Sequence, residues 1–163
     1  MGFWEKVLPG YKGYKERENS RNTDKLLREF LVNKLKEGRS RYDDIEAELT
    51  NRGNLGLMKP AEKVTQTLSR VTDRLRYANY GFTGKWFGKD KIDAERLDKV
   101  HKFDIQLAEN VDKLIKDIKA LELLDDDDAI TAELKNLATA IRSMDEALND
   151  REEILRDVGG EPE

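Results

Sequence analysis

Cysteine is absent from the chain, and histidine occurs once, at His101. Without cysteine, neither a disulfide framework nor a thiolate metal site can form. Helical di-iron centres and the common helical zinc motifs each require two histidines, so both are excluded. The sequence also lacks a Walker-type phosphate loop and a dinucleotide-binding glycine fingerprint. These absences predict a protein that is not an enzyme, with no catalytic residues, no metal and no cofactor.

Proline and long apolar runs are also scarce. Three prolines in 163 residues permit long helices. No apolar run approaches the roughly 18 residues that a membrane-spanning helix needs, and Glu5 and Lys6 interrupt any signal-peptide core. We therefore expect a cytoplasmic protein. Charged residues make up 39% of the chain and hydrophobic residues 37%, a balance typical of slender helices with one buried stripe.

The second half of the chain carries two apolar repeats whose steps alternate between three and four residues, the spacing of a coiled-coil seam. The first repeat comprises Leu97, Val100, Asp104, Leu107, Val111, Leu114, Ile118 and Leu121. The second comprises Ile130, Leu134, Leu137, Ile141, Met144, Leu148, Arg151 and Leu155. Opposite members pair at a nearly constant sum of residue numbers, as in an antiparallel hairpin. Residues 92–157 are thus predicted to form a helical hairpin turning near residue 126, with Asp127 or Asp128 capping its last helix.

Each of these seams contains one charged residue, Asp104 in the first and Arg151 in the second. The two residues fall in adjacent layers of the predicted hairpin, and an arginine side chain can span one layer. We predict a partly buried Asp104–Arg151 ion pair with a structural role. The pair would fix the register of the hairpin, because a slipped hairpin would bury both charges without partners.

The first half of the chain predicts further helices. One helix is predicted over 16–37 and a second over 40–52, with Gly38 as a candidate for the end of the first. Alternatively, Gly38 only kinks one continuous helix. Pro60 is predicted to open the next helix, because proline suits the first helical position.

The predicted fold class is therefore all-α. We expect an elongated antiparallel bundle of four to five helices with a long C-terminal coiled-coil hairpin. The chain 1–163 is predicted to form a single helical domain that ends in a flexible tail over 158–163.

Two aromatic segments are the candidate interaction sites: the N-terminal segment, residues 1–15, and the glycine-rich loop, residues 81–91. Large aromatic side chains beside lysines suit a protein hot spot, a membrane-interface anchor or stacking on bases. They could equally pack over the end of the bundle as an apolar lid. If residues 16–52 form one helical arm, four arms place both segments at the same end; a full reversal at Gly38 would separate them. The candidate residues are Trp4, Tyr11, Tyr14, Phe82, Lys85, Trp86 and Phe87.

Charge is distributed unevenly along the chain. Residues 1–91 carry 20 Lys and Arg against 13 Asp and Glu, whereas residues 92–163 carry 10 against 21. The basic half can fold against the acidic half, or it can present a basic face to an anionic partner. Nucleic acid is a poor candidate partner, because the local excess in the basic N-terminal region is small. An apolar stripe over 26–49 leaves open whether the chain is a monomer or a small homo-oligomer.

Three stretches carry a resemblance to other proteins: PGYKGYKERE at 9–18, RLRYANYGFTGKWF at 74–87 and ERLDKVHKFDIQLAENVDKL at 95–114. They resemble a group of helical proteins from bacteria and archaea that pairs an N-terminal proline–glycine–tyrosine motif with a central tyrosine–glycine–aromatic loop. The resemblance implies a helical fold and a prokaryotic, cytoplasmic protein. The group has no assigned activity, so the resemblance implies no functional residues.

These patterns favour a non-enzymatic helical interaction or scaffold protein. Its protein partner would bind at the aromatic end or at the basic N-terminal face. Peripheral binding to an anionic membrane surface, through the aromatic segments and nearby Lys and Arg, is the first alternative. Weak nucleic-acid binding is the second. Both alternatives would weaken steeply with salt, whereas an aromatic protein hot spot would not.

Overall fold

The computed structural model describes the backbone of residues 20–77 and 94–159, and side chains chiefly over 27–76 and 102–153. These residues form four helices: α1 (Ser20–Asn51), α2 (Leu55–Tyr77), α3 (Ala94–Leu121) and α4 (Asp127–Gly159). The described ranges contain helices and short turns but no strand. The prediction of an all-α bundle is therefore confirmed. Residues 158–159, predicted to belong to a flexible tail, are the last residues of α4.

The four helices occupy the corners of a bundle in the order α1, α2, α4, α3, because α1 packs on α2 and α3, and α4 packs on the same two helices. Consecutive helices are antiparallel. For α1 and α2 this is shown by two contacts: Thr65 of α2 donates a hydrogen bond to Glu46 of α1 at 2.8 Å, whereas Arg39, earlier in α1, bonds to Ser69, later in α2. The chain thus forms two helical hairpins, α1–α2 and α3–α4.

The two hairpins stand side by side in the same direction. Arg52, just before α2, pairs with Asp127 at the start of α4, and Arg74 near the end of α2 pairs with Asp145. Since the residue numbers rise together, α2 and α4 run parallel. Both hairpin turns consequently lie at one end of the bundle, called the turn end below. The other end of the bundle, called the open end, holds the first residues of α1 and α3 and the last residues of α2 and α4.

The seam residues of the second half form the centre of the core. From Leu107 to Leu121 in α3 and from Ile130 to Leu148 in α4, every predicted seam position is buried. Ala108, Ile115 and Ala138 are buried beside the seams. A stripe wider than a two-stranded seam is expected, because each helix here contacts two neighbours rather than one. The side chains of Leu97, Val100 and Leu155 lie outside the described residues.

The first helix is continuous through Gly38, so of the two alternatives one continuous helix is correct and a helix end at Gly38 is wrong. Leu35, Gly38 and Tyr42 are all buried, and they continue the three–four spacing of α1 without interruption. A Cβ atom at Gly38 would lie 3.4 Å from Ile115 Cγ1 and 3.5 Å from Ile118 Cδ1 of α3. The glycine therefore marks the close packing of α1 on α3, not a helix end. The described part of the apolar stripe of α1, from Leu27 to Leu49, is covered within the chain by α2 and α3.

The turn between α1 and α2 begins at Gly53, which adopts a left-handed φ of 73°. A glycine in this conformation commonly ends a helix, because a Cβ would be strained there. Asn54 then caps α2: its Oδ1 accepts a hydrogen bond from the backbone N–H of Gly56 at 2.9 Å. The prediction that Pro60 opens this helix is wrong, since α2 starts at Leu55 and contains Pro60 within its second turn.

The turn between α3 and α4 is capped by Asp126. Its Oδ2 accepts a hydrogen bond from the backbone N–H of Ala129 at 2.9 Å. The prediction that Asp127 or Asp128 is the cap is therefore displaced by one residue. The carboxylate of Asp127 is instead used between the hairpins, where it accepts hydrogen bonds from Arg52 and Asn54.

Tyr42 is a fully buried polar side chain at the interface of α1 and α2. Its hydroxyl donates a 2.6 Å hydrogen bond to the backbone carbonyl of Ala61. Burial, with the negative charges of Glu46 and Asp43, raises the pKa of this phenol well above the ordinary tyrosine value. The folded chain therefore keeps the proton of Tyr42 at pH values at which the unfolded chain releases it.

Replacing Gly38 by alanine is expected to stabilise the bundle by about 0.5–1 kcal/mol, because the gain in helix propensity meets only ordinary van der Waals contacts. The matched change at Gly53 should destabilise by about 1–2 kcal/mol, because its φ is left-handed. Urea unfolding monitored by circular dichroism would measure both. A loss of stability in Gly38→Ala would contradict this and show that the added Cβ atom is repelled by Ile115 and Ile118.

Tyr42→Phe should lower the free energy of unfolding at neutral pH by about 1 kcal/mol, because a buried hydrogen bond is lost. Above the ordinary tyrosine pKa of 10.0, only the unfolded wild-type chain loses this proton, so its stability should fall with pH by up to about 1.4 kcal/mol per unit relative to the variant. Urea unfolding of both chains from pH 7 to 11 checks this. A gap that stays constant with pH would contradict the buried phenol.

Candidate functional site

The seven candidate interaction residues of the two aromatic segments lie outside the described residues. The structure does place the points at which these segments join the bundle. Ser20, the first residue of α1, is five residues beyond the N-terminal segment, and Tyr77 and Ala94 flank the glycine-rich loop. All three residues are at the open end. This is the arrangement expected if residues 16–52 form one helical arm.

Asp104 and Arg151 meet inside the bundle near the open end. Arg151 Nε donates a 2.7 Å hydrogen bond to Asp104 Oδ1, and a second nitrogen lies 3.4 Å from Oδ2. Each side chain is 8% exposed. The two-point contact matches the planar guanidinium to the carboxylate and satisfies charges that could not be buried singly. A role in fixing the register of the hairpin remains a prediction.

Arg74 is the main polar link between α2 and α4. Its guanidinium donates hydrogen bonds to the carboxylate of Asp145 at 2.8 Å and to the backbone carbonyl of the same residue at 3.1 Å. It also pairs with Glu152 at 3.2 Å and contacts Asn149. Burial disfavours the charged guanidinium, but the hydrogen bonds of Asp145 and Glu152 outweigh it and raise the pKa of Arg74. The charge of Arg74 is therefore permanent and fully engaged.

A small cavity of about 20 Å³ separates these two charged groups. Leu27, Leu31 and Leu75 are among the residues that line it, together with Asp104 and Arg151. This volume is close to that of a single water molecule, roughly 10–15 Å³. It is far below the 300–1,000 Å³ typical of ligand pockets, so the cluster stabilises the bundle rather than binding a substrate.

Ion pairs between the hairpins follow the uneven charge of the sequence. In Arg41–Glu122, Arg52–Asp127 and Arg74–Glu152, the cation comes from the first hairpin and the carboxylate from the second. Much of the basic charge of the described first half is thus used within the chain. Of the predicted basic N-terminal face, the structure describes the side chain of Arg28 alone, which borders the small cavity.

Sequence reasoning missed a basic groove on the outer side of α2 and α4. It encloses about 590 Å³ and is lined mainly by Lys59, Lys63 and Lys135, with Glu62 and Gln66. The i, i+4 spacing of Lys59 and Lys63 was visible in the sequence. The third lysine lies on another helix, so only the parallel packing of α2 and α4 reveals the groove.

No group of three acidic or histidine side chains within 20–77 and 94–159 could hold a metal ion. None of the four helices carries an apolar stretch long enough to cross a membrane.

A double-mutant cycle tests the Asp104–Arg151 pair. Asp104→Leu alone should destabilise by about 3–5 kcal/mol, because it leaves a buried, unpaired guanidinium, and adding Arg151→Leu should restore most of this loss. The exposed pair Asp112–Lys116, whose charges are 3.2 Å apart, serves as the control, with a coupling below about 0.5 kcal/mol. Equal melting temperatures for Asp104→Leu and the double variant would contradict the pairing.

A comparison of this chain with protein-family models, curated proteins and solved structures finds no match. The resemblance to helical proteins with an N-terminal proline–glycine–tyrosine motif stays a prediction. The function of the chain has to be inferred from its own residues and geometry.

Proposed function

We propose that this chain is a non-enzymatic helical interaction or scaffold protein that binds a protein partner at the open end of the bundle. The observation that supports this proposal is the convergence of three helix ends. Ser20, Tyr77 and Ala94 are all at the open end, so the N-terminal aromatic segment and the glycine-rich loop both connect to the bundle at that end. The two segments contain Trp4, Tyr11, Tyr14 and Trp86, and tryptophan and tyrosine are enriched in protein hot spots.

The length of the connecting chain supports assigning the glycine-rich loop to the open end. Phe82 is five residues beyond Tyr77, so a fully extended chain carries it about 18 Å at most. The turn end lies a whole helix away: α2, with 23 residues, is about 33 Å long. In this proposal the glycine-rich loop therefore acts at the open end.

The proposal assigns no catalytic residue and no cofactor to the chain. Among the residues whose side chains the structure describes, the charged groups best protected from solvent, Asp104 and Arg151, neutralise one another. A cytoplasmic location belongs to the same proposal. It follows from the resemblance, and the cysteine-free sequence is compatible with it.

Site-specific photocrosslinking tests the proposal. A photoreactive phenylalanine analogue would replace Trp86 in the full chain, expressed in a prokaryotic host. The matched control carries the analogue at Lys119, an exposed position near the turn end. We expect one crosslinked protein species from position 86 that is absent from position 119, and that decreases about tenfold when Phe82 and Phe87 are changed to alanine.

Tryptophan emission with anionic vesicles separates the membrane alternative. A blue shift that appears with vesicles and reverts in high salt would replace the proposal with peripheral membrane binding. A crosslink from position 86 that is insensitive to Phe82 and Phe87 would also contradict it, because the aromatic side chains would then contribute nothing.

A further inference from the structure

The large apolar side chains that the described residues expose all lie at the turn end. Leu55 is 84% exposed, Leu123 is 81% exposed and Met58 is 39% exposed. Leu55 opens α2, Met58 follows one turn later on the same face, and Leu123 lies in the turn after α3. Single exposed leucines are ordinary, but their concentration on two neighbouring turns indicates an interaction surface.

These two turns are held together by polar contacts between the hairpins. Arg52 donates to the backbone carbonyl of Asp125 at 3.2 Å and to the carboxylate of Asp127 at 3.1 Å. Asn54 donates to the same carboxylate at 2.7 Å. Leu55 directly follows Asn54, and Leu123 precedes Asp125 by two residues. The bonds therefore place both leucines on one braced tip, defined here as residues 51–58 and 122–128.

The tip is strongly acidic. Its second turn contains five carboxylates and no basic residue over 122–128. Glu122 and Asp127 are paired with Arg41 and Arg52. Asp125, Asp126 and Asp128 form no ion pair with any described residue, and Asp125 and Asp128 are exposed. Protruding leucines beside unneutralised carboxylates are complementary to a surface that is apolar and basic.

Charge also decides against other occupants of the tip. Two tips facing one another would bring their carboxylates together, which opposes a dimer formed through this surface. An anionic membrane would repel it for the same reason.

Within the chain, the loop between Tyr77 and Ala94 is too short to reach the tip. Residues 1–19 span about 63–68 Å at full extension, so they would have to run along α1, which is about 46 Å long, at about 70% of that extension in order to reach the tip.

We propose that this tip, centred on Leu55 and Leu123, is a second docking surface, which binds a basic amphipathic segment of a partner protein. The leucines would enter the apolar side of that segment, and its Lys and Arg residues would face Asp125 and Asp128. The surface is independent of the open end. A chain with both surfaces holds two partners at opposite ends of one rigid bundle.

The test uses the full-length protein and a fluorescein-labelled amphipathic peptide of leucine and lysine as the probe, with binding followed by fluorescence anisotropy. A peptide with glutamate in place of lysine serves as the control probe. We expect saturable binding of the basic peptide alone. Leu55→Ser/Leu123→Ser should weaken it about tenfold or more. The melting temperature of this variant should equal that of the wild type, because both leucine side chains are exposed.

A charge-matched pair of variants separates docking at the tip from general attraction to an acidic protein. Asp125→Asn/Asp128→Asn should weaken binding about threefold or more. Glu146→Gln/Asp150→Asn removes the same charge from exposed positions of α4 near the open end, and should leave binding unchanged. The proposal is overturned if the two variants weaken binding equally, or if the leucine variant binds like the wild type.

Measurement of molar mass by light scattering distinguishes self-association through the tip from docking of a partner segment. A wild-type dimer that becomes a monomer in Leu55→Ser/Leu123→Ser would assign the tip to self-association and overturn the proposal. The same mass for both chains, with peptide binding lost, supports it. If the tip does not bind the peptide, the proposed function of the open end still stands, because the crosslinking from position 86 involves none of these residues.

Discussion

Arg74 is the residue through which the two helical hairpins hold one another in place. Its guanidinium, 20% exposed, reaches from α2 to the carboxylates of Asp145 and Glu152 on α4. Apolar stripes alone would allow the hairpins to slide by one heptad, because the seam repeats every seven residues. Arg74 prevents this sliding, because its planar guanidinium needs two carboxylates in fixed positions. Arg52 and Asp127 repeat the arrangement at the turn end, so the parallel alignment is fixed at two levels.

This alignment determines what each end of the bundle can do. With α2 and α4 parallel, both turns lie together, and the leucines and carboxylates of the tip become one surface. The same alignment brings the first residue of α1, the last of α2 and the first of α3 to the opposite end. Had the hairpins packed in opposite directions, each end would carry one turn, and neither surface would be complete.

Much of this architecture could be predicted from the sequence, because spacing reports burial directly. The seams of α3 and α4 and the Asp104–Arg151 contact follow from steps of three and four residues. Gly38 and Pro60 were misinterpreted, because a glycine at a helix contact and a proline inside a helix resemble end signals; the unbroken spacing through Gly38 was the better guide. The order of helices around the bundle, the basic groove and the acidic tip depend on contacts between distant segments, and no local pattern encodes them.

Electron spin resonance distances would test the parallel alignment most directly. The chain has no cysteine, so spin labels can be placed at chosen exposed sites. One pair would join Lys59 to Lys135, which line one groove, and a second would join Lys59 to Asp150. Parallel hairpins predict that the first distance is shorter, because Asp150 lies about 22 Å further along the axis of α4 than Lys135. A shorter distance from Lys59 to Asp150 would contradict the alignment and both surfaces derived from it.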